Sequence, residues 1–255
     1  MAYQTMLYEK KGHIAYVTLN RPEAGNSFNT VLCREITEIW GDVMTDSKIW
    51  VVVVTGAGGR FFCTGVDVKE AATTSMGDIW LPVARLMEET CKPVILAVNG
   101  ICAGGGLHFI CDSDIAICSE NASFFDPHVN VGFVSGWEPV GLSRRIPLAY
   151  VLKMVLMGSK FRIDAKKALE IGMVTEVVPL DKLIPRASEI AEIILENSPL
   201  AVRFSKKAIM QGLNLGLSGG LENAAPILKE VWYTEDHAEG KQAFAEKRKP
   251  AWKAR

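Results

Sequence analysis

Two glycine-rich stretches carry the first chemistry legible in this chain, Pro93 to Gly106 (PVILAVNGICAGGG) and Gly56 to Asp67 (GAGGRFFCTGVD). In the first, Val94 to Val98 reads as a short buried strand that ends at Asn99-Gly100. Ala103-Gly104-Gly105-Gly106 then opens the apolar run Leu107 to Cys111. Backbone N–H groups at a helix start have no partner inside the helix and attract an oxygen bearing negative charge. Consecutive glycines let a ligand approach that backbone with no Cβ in the way. A tight turn without a ligand explains this stretch alone equally well. The second stretch follows its own strand and ends Phe62-Cys63-Thr64-Gly65-Val66-Asp67. Two such loops at neighbouring strand ends can each aim one N–H at a single oxygen. Paired donors suit a thioester carbonyl that becomes an enolate or a tetrahedral oxyanion, and losing one donor costs about 3 kcal/mol in the transition state. Neither loop has the G-x-x-x-x-G-K-[ST] pattern, and Gly104 to Gly106 lack G-x-G-x-x-G spacing, which argues against a nucleotide phosphate site.

The elements that must hold these loops follow from apolar patterning. His13 to Leu19 alternates as a strand, and Asn20-Arg21-Pro22 breaks it. Thr30 is a plausible N-cap for a helix running to about Thr45, with Val31, Ile36, Ile39, Trp40 and Val43 on its apolar face. Ile49 to Thr55 is apolar on both faces and reads as a strand covered on both. Residues 70–78 are small and polar, a candidate mobile segment, and a helix is expected around Trp80 to Thr90. Asp114 to Cys118 is another strand. Alternating strands and helices argue α/β to about residue 135. Beyond it come helical segments at Leu148 to Met157, Ala165 to Ile171, Leu183 to Glu196, Ala201 to Leu213 and Leu221 to Trp232, interrupted by a strand at Met173 to Val178. The expected division is a core over 1–195 and a helical C-terminal region over 196–255.

With 255 residues, 49% of them hydrophobic, the chain can bury one large core. A formal net charge of −1 gives no electrostatic reason to expect nucleic acid or an anionic membrane as partner. The start, MAYQTMLYEKKG, lacks the apolar centre of a signal peptide, and no run is long enough to span a bilayer. Six cysteines without a C-x-x-C pair read as reduced, buried small hydrophobes, so the expected setting is cytoplasmic.

Several ordered motifs then resemble one family. They are Leu19 to Pro22 (LNRP), Phe61 to Lys69 (FFCTGVDVK), Ala97 to Leu107 (AVNGICAGGGL), Cys111 to Ile115, Ala122-Ser123-Phe124, Ala168 to Val174 (ALEIGMV) and Ala243 to Pro250 (AFAEKRKP). Together they resemble the crotonase, or enoyl-CoA hydratase/isomerase, superfamily along essentially the whole chain. The resemblance implies a ββα spiral core, a helical trimerisation region, and an acyl-CoA thioester held by two main-chain N–H groups, here of Thr64 and Gly105. It implies no cofactor beyond coenzyme A as part of the substrate, no metal, and assembly as a homotrimer or a dimer of trimers. Arg21 and Ala24 would lie by the CoA adenine, Gly65, Val66 and Asp67 along the substrate, and Lys247 by CoA phosphates.

The chain departs from the family where hydratases carry two water-activating glutamates. His108 and His128 stand at those positions. A histidine in a helix first turn is held neutral by the positive dipole end, and a neutral imidazole near pH 7 serves as general base or donor. Asp126 is placed to orient a histidine, and Glu138 falls near an acidic catalytic position of other members. Trp137, Phe28, Trp80 and Phe133 are candidate walls of the acyl pocket. Three activities follow as expectations: hydratase or isomerase chemistry on an enoyl-CoA, C–C hydrolysis of a β-dicarbonyl substrate, or acyl-CoA binding without turnover.

Overall fold

The computed structural model describes residues 3–73 and 90–255. The expected helix around Trp80, and most of the 70–78 segment, lie outside the described residues. An antiparallel hairpin comes first, β1 (Met6–Lys11) and β2 (Ile14–Leu19), turning at Gly12 with φ +57°. Helix α1 (Thr30–Thr45) follows, then β3 (Val51–Gly56), β4 (Phe61–Cys63) and the short α2 (Val68–Ala71). The N-cap of α1 is Asn29, whose side chain accepts from the Leu32 N–H; Thr30 instead bonds the Glu70 carboxylate, which corrects the expected cap.

The next turns repeat one plan. β5 (Val94–Val98), β6 (Ile101–Ala103) and α3 (Leu107–Asp112) make one unit; β7 (Ile115–Ser119), β8 (Ser123–Phe125) and α4 (Trp137–Leu142) make another. In each unit the first strand joins a large sheet and the second a small one. The large sheet has the order β1-β2-β3-β5-β7-β10, with β10 at Glu176–Val178, and the small one β4-β6-β8-β9, with β9 at Ile163–Asp164. From β2 to β10 the large sheet is parallel. A parallel sheet needs cover on both faces. Val52, Val54, Leu96 and Val98 point into the core shared with α1 and the small sheet, while Val51, Val53, Ile95 and Ala97 pack on the helix at residues 183–195.

The chain closes with α5 (Leu148–Met157), β9 (Ile163–Asp164), α6 (Ala165–Glu170), β10 (Glu176–Val178), α7 (Leu183–Leu195), α8 (Pro199–Gly212), α9 (Leu217–Val231) and α10 (Glu235–Glu246). Strands β1, β4, β6 and β8 and helix α10 are not in the sequence-based reading. Among the described residues no helix is long and apolar enough to cross a membrane, and all six cysteines are free.

Candidate active site

Both glycine loops leave adjacent strands of the spiral, β4 and β6, which pair in parallel. Their approach requires glycine at three positions. A Cβ on Gly65, at φ +85°, would sit 2.9 Å from the Gly105 nitrogen, and one on Gly106 would sit 2.5 Å from the Cys63 carbonyl oxygen. On Gly100 it would meet the Arg60 oxygen at 2.3 Å. Side-chain-free backbone therefore lines the junction of the loops. Phe28, fully buried, supports it from behind: its ring edge lies 3.0 Å from the Cβ position of Gly105. It is a core residue packed on Phe109.

The N–H groups at this junction divide into committed and uncommitted ones. Thr64 N–H donates to the Gly25 carbonyl at 3.1 Å, so it cannot serve as the first oxyanion donor, and that expectation is corrected. The Gly65 N–H faces the Cys63 sulfur. In the bridge between Phe28 and Val66, the flanking bonds run from Phe28 N–H to the Gly65 oxygen and from Asp67 N–H to the Phe28 oxygen, each 2.8 Å. Val66 N–H and Gly105 N–H have no acceptor among the described residues.

His108 lies in the first turn of α3, and Glu138 in the first turn of α4; both side chains are buried. Gly141 lets the helices touch, since a Cβ there would meet the Cys111 Cβ at 2.7 Å, and the Cys111 thiol donates to the Glu138 carbonyl. His108 Nε2 stands 3.3 Å from Glu138 Oε1, and its Nδ1 3.9 Å from Asp112 Oδ2. Burial holds the His108 pKa below its usual value; the Glu138 carboxylate opposes that shift and His128 adds to it. Desolvation is thus the main cause that disfavours the charged imidazole here.

His128 begins a single 3-10 turn, His128–Val131. Its backbone N–H donates to Asp126 Oδ1 at 3.0 Å, and its Nδ1 lies 2.7 Å from the same oxygen. The Ser135 hydroxyl donates to the other oxygen of Asp126, whose side chain is 1% exposed. The Asp126 hydrogen bond raises the pKa of His128 against the opposing effect of burial. For Asp126, burial pushes upward, but the bonds from His128 and Ser135 hold it below the usual carboxylate value. His128 Cε1 lies 3.7 Å from the Cβ position of Gly104, so the ring reaches the glycine turn. The sequence placed Asp126 to orient a histidine without fixing which one. The structure pairs His128 with Asp126 and Glu138 with His108.

The other expected residues scatter. Arg21 donates to the Ser27 carbonyl at 2.7 Å and to Asp67 at 2.9 Å, so its guanidinium is engaged within the protein. Ala24 ends a 3-10 turn, Pro22–Ala24, beside that pair. Trp137 is 56% exposed with its ring 6.3 Å from that of His108, while Phe133 is exposed nearby in sequence. Lys247 is an exposed left-handed cap of α10, and its neighbour Arg248 is paired with Glu239 and Glu246. Among the described residues no His/Cys/Asp/Glu cluster fits a metal ion.

A sequence model of the Enoyl-CoA hydratase/isomerase family matches residues 9–255. The chain is 39% identical over 252 residues to an (E)-benzylidenesuccinyl-CoA hydratase of Thauera aromatica, covering 96% of this chain and 97% of that one. It is 35% identical to a short-chain-enoyl-CoA hydratase of Clostridium acetobutylicum, covering 98% and 97%. Among solved structures, an enoyl-CoA hydratase/isomerase from Mycobacterium paratuberculosis superposes with a TM-score of 0.93 at 41% identity, over 100% of both chains.

Proposed function

This chain belongs to the enoyl-CoA hydratase/isomerase family, an acyl-CoA-processing enzyme of crotonase fold, and we propose that it hydrates an enoyl-CoA with histidines in place of the family's glutamate pair. The observation that carries this reading is the pair of N–H groups without an acceptor among the described residues, Val66 and Gly105, the first of them between the committed N–H groups of Gly65 and Asp67. The thioester oxygen accepts both. As water adds to Cβ, the π electrons move onto that oxygen, and the two donors stabilise the enolate more than the ground state. Neutral His108 with the Glu138 carboxylate takes the proton from the attacking water. His128, held as imidazolium by Asp126, gives its Nε2 proton to Cα. One proton passing from the His108–Glu138 pair to His128 through solvent restores the site.

Incubation with crotonyl-CoA followed by mass spectrometry tests this: a gain of one water without fragmentation is the expected product. An acyl group carrying a ring is favoured by Trp137 beside His108 and by the similarity to the benzylidenesuccinyl-CoA hydratase.

A second reading, C–C hydrolysis of a β-dicarbonyl compound, is supported by the same two imidazoles. Water activated by His108–Glu138 would attack a ketone carbonyl, and His128 would protonate the departing enolate carbon. Fragmentation of a β-ketoacyl-CoA separates it from hydration, and retention without change separates both from binding alone. Three-fold assembly belongs to the proposal too. Ile209, Leu213, Leu217, Leu221 and Leu228 of the C-terminal region are all more than half exposed, an apolar surface suited to a second copy.

A further inference from the structure

The oxyanion donor Val66 sits on a loop with no regular secondary structure around it, between β4 and the four-residue α2. A backbone N–H can stabilise charge only if it is already aimed before the charge develops. Something must fix this loop, and the bonds around it show what does. Segment 21–28 is laced to segment 64–67 by Thr64 N–H to Gly25 O, Phe28 N–H to Gly65 O, and Asp67 N–H to Phe28 O. The Thr64 hydroxyl adds a bond to the Gly25 carbonyl at 3.2 Å, and one bridge between two side chains spans the same segments. Arg21 Nη2 donates to Asp67 Oδ2 at 2.9 Å, and Arg21 Nη1 donates to the Ser27 carbonyl at 2.7 Å. The pair is largely buried, with side chains 16% and 14% exposed.

Both ends of the bridge are themselves fixed. Asp67 caps α2 by accepting from Lys69 N–H at 3.1 Å. Arg21 N–H donates to Asn26 Oδ1, and Asn26, fully buried at φ +52°, donates to the Ala57 and Phe61 carbonyls. Asp67 is the residue directly after Val66, so its carboxylate sets the peptide plane next to the donor. A guanidinium forks to two acceptors at once; an ammonium at the same place engages as a point charge.

We propose that the Arg21–Asp67 pair is a positioning device for the oxyanion site, holding the Val66 N–H on the thioester oxygen, rather than a contact to the coenzyme. The proposal rests on Val66 and Gly105 being the oxyanion donors. It makes Arg21 and Asp67 positioning residues, and their loss costs polarisation of the carbonyl more than binding of the thioester. Misplacing a reacting group by a fraction of an ångström to one ångström costs up to about a hundredfold in rate.

The test uses 4-(dimethylamino)cinnamoyl-CoA, a push–pull chromophore whose absorption moves red when its thioester carbonyl is polarised. Because only bound probe reports the shift, an unfolded fraction in a variant contributes nothing to it. The native protein should shift the bound probe. Arg21→Lys and Asp67→Asn should bind it with affinity within about threefold of native yet lose most of the shift, with kcat on crotonyl-CoA down about tenfold to a hundredfold. The double variant should fall no further than the worse single one, because both remove one bridge. A native protein that binds the probe without a shift overturns the donor assignment itself. Variants that keep the full shift overturn the positioning proposal and leave the donors standing.

Discussion

His128 Nδ1 lies 2.7 Å from Asp126 Oδ1, and that carboxylate is buried behind the ring with Ser135 on its second oxygen. The bond puts the proton on Nδ1 and leaves Nε2 as the nitrogen that works on substrate. Because Asp126 raises the His128 pKa, the imidazolium persists above the usual value of about 6.5. If it is the acid, the rate falls as pH rises through this raised pKa, and Asp126→Asn moves that limb to lower pH. His128→Ala should lower kcat by about a hundredfold or more. Stability follows the same sign. A raised folded pKa contributes stability that is full below about pH 6.5 and is lost as pH rises through the folded value. The difference in denaturant unfolding free energy between native protein and His128→Gln should shrink over that window. A difference that grows with pH contradicts the pairing.

The His108–Glu138 contact predicts the opposite limb. Burial keeps His108 neutral, and Glu138 partly offsets that shift. Protonating His108 stops it acting as base, so an acid limb below about pH 6.5 is expected. Glu138→Gln removes the carboxylate that favours imidazolium and should push this limb to still lower pH while cutting kcat about a hundredfold. An unmoved limb in Glu138→Gln would show that the Glu138 carboxylate does not act on His108.

Neighbouring glycines should fail for different reasons. A Cβ on Gly106 meets a backbone oxygen at 2.5 Å, whereas one on Gly105 meets only the Phe28 ring edge at 3.0 Å. Gly106→Ala should therefore destabilise the fold, by about 1–3 kcal/mol. Gly105→Val should lose turnover and the thioester site with a smaller loss of unfolding temperature. Paired thermal unfolding and kinetic measurements check the contrast, and near-normal turnover in Gly105→Val removes this glycine from the site.

Assembly is the fourth expectation. Sedimentation at micromolar concentration should give a trimer or a dimer of trimers, and Leu221→Glu on α9, where the side chain is 64% exposed, should shift it to smaller species. A native monomer at that concentration rejects the proposed apolar interface. Ile227 of the same helix is buried within the chain at 4% exposure and takes no part in that surface.

The long apolar strands and the glycine loops were legible because their patterns are local. Val94 to Val98 forms β5 with the bounds read from sequence, and α1 ends at Thr45 as expected, with Thr30 inside it rather than capping it. The small sheet was not legible: β4, β6 and β8 are three residues each, too short for a period to show, and exist only because they pair across the spiral. The histidines came from motif position, and their partners needed the fold. Thr64 and Val66 are alike to a sequence reading, since the identity of a backbone donor depends on where Gly25 O lies, 39 residues earlier in the chain. Arg21 looked available for the coenzyme because nothing local shows Asp67 beside it. Helix α10 has a weak apolar face and is held by Asp236, which accepts from the Lys253 and Ala254 N–H groups of the tail.

The proposed reaction runs through an enolate held by Val66 and Gly105 and protonated at Cα by His128. The most direct measurement is the mass of the product formed from crotonyl-CoA in deuterated water, by native protein and by His128→Gln. Rapid addition of one water with one solvent deuteron at Cα is expected in the native protein, and the same product at least about a hundredfold more slowly in the variant. Equal rates in the two proteins, or no addition of water by the native enzyme while β-ketoacyl-CoA is split, would contradict it.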